Sequence, residues 1–141
     1  MKNYVIKSVL AVVWLTLLLM PISAQKDKGA SGGGTDCANV TTPSLSSSTS
    51  SPGLNVGVFG RVGNCSTGKQ RYTVTVAAVS SCGQQTTIAS SVISFNGGES
   101  KLISVSYAIA SGTCPGTSTV SISVSSGGTL LGSQSTSLTI Q

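Results

Sequence analysis

The sequence predicts an antiparallel all-β sandwich of seven strands. Three observations lead there. Residues 37–141 alternate apolar and polar positions in runs of about four to ten, clusters of Gly, Ser, Asn and Thr separate the runs, and no stretch after residue 24 carries the 3.6-residue period of an amphipathic helix. An alternating run has one dry face, and two sheets of such runs bury their dry faces against each other.

The first strand is weak, around Val40 to Leu45, and the link SSSTSSPG follows it. Leu54 to Val62 comes next, with Leu54, Val56, Val58 and Val62 on one face and Gly60 marking a bulge. RYTVTVAAV, residues 71–79, is the strongest strand, with Tyr72, Val74, Val76 and Ala78 inward and Arg71, Thr73 and Thr75 outward. In the run from Thr86 to Phe95 the alternation slips near Ser90 and Ser91, which predicts a bend or a change of partner strand there. NGGES is a tight turn whose glycines accept positive φ. Ile103, Val105, Tyr107 and Ile109 alternate inward in the next strand. The loop ASGTCPGTS, the strand Val120 to Ser125, the turn SSGG and a last strand Thr129 to Ile140 complete the chain, with Leu130, Leu138 and Ile140 sharing a face.

Ahead of this domain, residues 1–24 have the layout of a secretory signal peptide: Lys2 and Lys7, an apolar run from Val9 to Met20, Pro21, and small residues up to Ala24. That run is shorter than the ~20 residues that cross a bilayer as a helix; reading it from Val5 to Ile22 leaves an uncleaved anchor as the alternative. After cleavage no stable membrane anchor is expected, and a secreted, periplasmic or cell-surface protein results. Residues 25–36, QKDKGASGGGTD, form a flexible Gly/Ser-rich leader, and the domain spans residues 37–141. Losing Lys2 and Lys7 leaves six basic residues against three acids, a net charge of +3 rather than +5. The remaining cations are scattered singly, so nothing assembles the patch that nucleic-acid binding requires.

Four cysteines in an exported chain predict two disulfides. Cys37 begins the first strand and Cys65 follows the second, which returns to the same end; Cys82 follows the third strand and Cys114 lies in the loop at the opposite end. Strand order therefore pairs Cys37 with Cys65 and Cys82 with Cys114. The rival pairing of Cys65 with Cys82 would span a strand of ~30 Å, against the ~7 Å that a disulfide bridges. Metal binding has no ligand set: the chain holds no histidine and no CxxC pair, and isolated acids do not make a calcium cage. No cofactor is expected.

The text SFNGGESKLISVSYAIASG followed by GTSTVSISVSSGGTLLG resembles bacterial extracellular immunoglobulin-like and fibronectin type III-like domains, and the likeness extends from about residue 38 to 141. The resemblance implies adhesion, spacing or carbohydrate contact. The chain departs from true immunoglobulin domains in having no core tryptophan and no cysteine within either central strand. In a bacterial setting the sequons at Asn39 and Asn64 are chance matches.

Catalysis is not expected. Without histidine there is no serine–histidine triad or imidazole base. Of the carboxylates, Asp27 and Asp36 lie in the leader and Glu99 in a turn, which leaves a glycosidase without its second acid. A serine–lysine dyad using Lys69 or Lys101 has nothing to single it out among so many serines.

Tyr72 and Tyr107 fall on inward parities and read as core. Phe59 falls opposite Leu54 and Val56, which makes it the one aromatic expected at the surface, either as an interaction anchor or as cover for the flank beyond Gly60. The reading is a secreted non-catalytic module for structural or adhesive contact with a protein or glycan partner, capable of weak self-association. The alternatives are a carbohydrate-binding module or a fimbria-like self-assembling subunit. Against the latter, the leader lacks the alternating apolar arm of donor-strand exchange. An inhibitor presenting the loop SGTCPGTS fits the geometry but has no sequence signature.

Overall fold

A computed structural model describes residues 35–141. The expected signal peptide, and the expected leader as far as residue 34, lie outside the described residues. From Ala38 onward the chain is all strand and loop, with nine strands: β1 (Ala38–Val40), β2 (Ser44–Leu45), β3 (Thr49–Ser50), β4 (Asn55–Asn64), β5 (Gln70–Val79), β6 (Gln85–Phe95), β7 (Ser100–Ala108), β8 (Gly116–Ser126) and β9 (Thr129–Ile140). One sheet is built on β4, with β1 and β2 in series along one side and β7 along the other; the second has the order β3-β9-β8-β5-β6. Their inner faces share one core, to which β4 and β7 contribute Val56, Val58, Ile103 and Tyr107, and β5 and β8 contribute Tyr72, Val74, Val120 and Ile122.

Nine strands replace the seven expected because the first weak strand and its link divide into three. Pro43 is buried between β1 and β2 and has no N–H to give to a ladder. The register against β4 moves by one residue there, from Val40 opposite Val62 to Ser44 opposite Phe59. The serine-rich link then crosses to the other sheet, where β3 runs parallel to β9, so the fold is not wholly antiparallel. The carbonyls of Ser48 and Ser50 accept the N–H groups of Thr139 and Gln141, both at 2.9 Å. Pro52 and Gly53 turn the chain into β4, with Gly53 at φ +87° and the Leu54 N–H donating to the Ser51 carbonyl at 3.2 Å.

Four local expectations are corrected. Gly60 marks no bulge: it stands in register opposite Ile103, facing the core, and a Cβ there would meet Ile122 Cδ1 at 2.5 Å. Its missing side chain lets the facing sheet approach. The slip in β6 falls at Ile88, the extra residue between Ala89 opposite Val76 and Thr87 opposite Ala77. Leu131 is the matching extra residue in β9, and it turns Leu130 outward, away from the face of Leu138 and Ile140. Leu54 precedes β4 and is exposed.

The outer face of the second sheet is a field of hydroxyls. Ser133, Ser123, Thr75 and Ser90 lie side by side across β9, β8, β5 and β6. Ser123 donates to the Thr75 carbonyl at 3.4 Å, and Thr75 and Ser90 share a hydrogen bond at 3.1 Å. Ser121 likewise donates to the Ala77 carbonyl at 3.5 Å, so two of the serines of TSTVSISVSS are tied to the neighbouring strand.

Candidate functional site

The cysteines sit at opposite ends of the domain. Cys37 is joined to Cys65 with Cα atoms 5.1 Å apart, and Cys82 to Cys114 at 6.1 Å. These are the two pairs that strand order predicts.

Around the first bridge a buried polar network is assembled. Asn64, at the end of β4, is 2% exposed. Its amide donates to the carbonyls of Gly68 (2.7 Å) and Asn96 (3.0 Å), and its Oδ1 accepts the Ser66 N–H (2.9 Å) and hydroxyl (2.6 Å). The Tyr72 hydroxyl lies 2.8 Å from the Cys37 carbonyl and 3.0 Å from Asn64 Oδ1. Burial raises the Tyr72 phenol above its ordinary pKa of 10.0. With both amide hydrogens bonded and the side chain enclosed, Asn64 is closed to glycosylation. Thr67 passes so close to Gly97 that a Cβ on that glycine would collide with the Thr67 carbonyl.

The two cations considered for a dyad, Lys69 and Lys101, stand in different settings. Lys69 is exposed in the turn before β5. Lys101 Nζ donates to the Ser94 carbonyl at 2.6 Å, stands 3.6 Å from Glu99 Oε1, and lies 5.3 Å from the centroid of the Phe95 ring. Among the described residues no group of three or more His, Cys, Asp and Glu is placed to hold a metal ion.

Phe59 is at the surface, 36% exposed, at the middle of β4 on the outer face of its sheet. Its ring lies over Gly57: a Cβ on that glycine would meet Phe59 Cζ at 2.8 Å, so the glycine makes room for the ring. Phe59 faces Ser104 across the strand pair and Arg61 faces Leu102, which makes Phe59 and Leu102 diagonal neighbours on one face. Leu102 is 60% exposed. Ser44 on one side and Ser104 and Ser106 on the other frame this apolar pair with hydroxyls, and Arg61 supplies one positive charge. Leu102 was missed from sequence, although its parity opposite Ile103 was a usable signal. The pairing with Phe59 depends on the β4–β7 register, which no local pattern encodes.

Behind β7 the two sheets part. A groove of about 220 Å³ opens between the edge strands β6 and β7, lined by Val74, Val76, Ala89, Ile93, Ile103 and Val105 among others. It is smaller than the ~300–1,000 Å³ of ordinary small-molecule pockets.

No family model and no curated protein matches the chain. Solved structures share its fold. A β-glucosidase from Erythrobacter marinus matches with TM-score 0.62 at 11% identity, over 75% of this chain and 16% of that one. An alkylpurine DNA glycosylase from Pseudomonas fluorescens matches with TM-score 0.62 at 17% identity, over 74% and 30%. The CARDB domain of a Pyrococcus furiosus protein, determined in complex with di-metal ions, matches with TM-score 0.55 at 12% identity, over 77% and 89%. This chain thus spans a small part of the two enzymes and most of the CARDB domain. At such identities the likeness is one of fold.

Proposed function

We propose that the protein is an exported, non-catalytic immunoglobulin-like or fibronectin type III-like module that acts by surface contact, structural or adhesive, at or outside the cell envelope. The Phe59–Leu102 pair carries the reading: two exposed apolar side chains set diagonally, with one cation beside them, on a sheet face otherwise dressed in glycine and hydroxyl groups. Exposed apolar side chains grouped on a rigid sheet are the usual anchors of an interface. The strand order, with β1, β2 and β7 around β4 and β9-β8-β5-β6 opposite, supports the immunoglobulin-like assignment. Two disulfides support a location outside the cytosol, and no helix among the described residues is long and apolar enough to cross a membrane.

A second reading, carbohydrate binding, rests on the same residue, because an aromatic ring flanked by serines is also the chemistry of a sugar platform. A glycan array and an array of immobilised surface proteins, probed with the wild type and with Phe59→Ala/Leu102→Ala, separate the two. Loss of one truncated anchor at an interface is worth ~1–2 kcal/mol, so the double variant is expected to bind at least ~10-fold more weakly with its melting temperature nearly unchanged. A signal on glycans favours the second reading and one on proteins the first. Undiminished binding by the double variant refutes both placements of the site.

A further inference from the structure

The second sheet ends on β6, which pairs with β5 on one side and with nothing on the other among the described residues. Its sequence, QTTIASSVISF, contains no charge and no proline over eleven residues, so two of the common devices that keep edge strands from pairing are missing from it. Val92, at its middle, is 59% exposed.

One end of this edge is occupied. The Ser94 carbonyl accepts the Lys101 ammonium at 2.6 Å, which makes it a carbonyl turned away from β5. In an antiparallel ladder, residues of one parity direct both N–H and C=O to the same side. Val92 and Ser90 share the parity of Ser94 and therefore present their N–H and C=O groups at the open edge. The bulge at Ile88 ends the run in the other direction. What is left free is a short ladder segment, bounded by a lysine cap and a bulge.

We propose that this segment pairs with its own counterpart on a second copy of the chain, antiparallel about a two-fold axis through Ser91. In that register Ser90 of each copy stands opposite Val92 of the other. Both residues offer a donor and an acceptor to the open side, so the two pairs close four hydrogen bonds. The inward residues then match: Ile93 meets Ala89 of the second copy over the mouth of the groove, where both are lining residues. A bounded five-residue edge fits a two-fold pair better than a long added strand, which would run into Lys101 or the bulge. So small a contact lies below the ~1,200 Å² of a standard stable interface, and the dimer is accordingly weak. The pairing is independent of the Phe59 face: a strictly monomeric protein removes it and leaves that face intact, and loss of binding on Phe59→Ala says nothing about β6.

The test is sedimentation equilibrium of the exported protein from about 10 µM to 1 mM, with amide hydrogen exchange at both limits. A monomer–dimer equilibrium is expected, in which the Ser90 and Val92 amides gain protection at high concentration while the Ser91 amide, bonded to β5, stays protected throughout. Val92→Lys puts a charge at the centre of the edge and is expected to weaken dimerisation by at least ~10-fold. Thr119→Lys, the same change on the exposed face of β8, leaves it unaltered. A monomer at the highest concentration overturns the proposal, as do open filaments, a dimer indifferent to Val92→Lys, or protection gained elsewhere. Should Val92→Lys fail to fold, the exchange pattern of the wild type decides alone.

Discussion

The two ends of the domain are each closed by one disulfide, and they are built differently. At the Cys37–Cys65 end, hydrogen bonds link four separate segments: Cys65 to Cys37, Asn64 to Glu99 and Asn96, Gly98 to Ser66, and Tyr72 to Cys37. At the Cys82–Cys114 end the loops are bonded mostly within themselves, Ser80 with Gln84 and Thr113 with Ala110, and the Ser81 hydroxyl donating to the Pro115 carbonyl at 2.8 Å joins one loop to the other. The first bridge therefore reinforces an end already held by a polar network, whereas the second is the principal tie between its two loops.

Opening each bridge in turn is the strongest test of that difference. The sequence separations are 28 and 32, nearly equal, so the chain-entropy term is nearly the same, and each double Cys→Ala variant is expected to lose about 3–4 kcal/mol in chemical denaturation. The local consequences should differ. Without Cys37–Cys65, the amides of Asn64, Ser66 and Gly98 keep their exchange protection, since their acceptors are still in place. Without Cys82–Cys114, the amides of residues 80–84 and 110–114 exchange at the rate of an open loop. Equal loss of protection at both ends would mean that the network does not stand without its bridge.

Asn64→Ala approaches the same end from the other side. It strips partners from the Ser66 N–H and the Gly68 and Asn96 carbonyls in a buried setting, where each unsatisfied group costs ~1–3 kcal/mol and relaxation recovers part of that. A loss of about 3 kcal/mol is expected, with the disulfide still closed in non-reducing peptide mapping. A loss below about 1 kcal/mol would show that water replaces the amide and that the bridge carries this end alone.

Most of the strands were legible from alternation, because β4, β5 and β8 each bury one face without interruption, β7 alternates a more covered face with an exposed one, and hydrophobic burial enforces period two. Where that reading fails, non-local pairing decides. The parity of Leu130 is set by a bulge at Leu131 that exists only against β8, and Gly60 takes its meaning from Ile122 in the facing sheet. β1, β2 and β3 are held by backbone bonds to β4 and β9, with too few residues to show a period. The same holds for the candidate site. Phe59 was visible as an outward aromatic, but its neighbour Leu102 lies 43 positions further along the chain and reaches it only through register. The Asn64 network escaped because an asparagine before a cysteine and a serine looks like a sequon, and one of its two acceptors, the Asn96 carbonyl, lies in the distant β6–β7 turn.

The smallest expected effect has the opposite sign and lies toward the Cys82–Cys114 end. Ser118, on β8 two residues after Gly116, is 2% exposed and faces the core, and its Oγ has no hydrogen-bond partner among the described residues. A buried hydroxyl left without a partner costs ~1–3 kcal/mol, whereas a methyl group in the same space costs nothing in desolvation and leaves a void too small to matter. Ser118→Ala is therefore expected to raise stability by about 0.5–1 kcal/mol, read as a higher denaturation midpoint at an unchanged slope. At the other end the analogous change, Ser66→Ala, removes a hydroxyl that donates to Asn64 Oδ1 at 2.6 Å and should lower stability by ~1 kcal/mol. The pair of serines thus separates an end whose buried polar groups are answered from one where a hydroxyl is not, and a destabilising Ser118→Ala would erase that distinction.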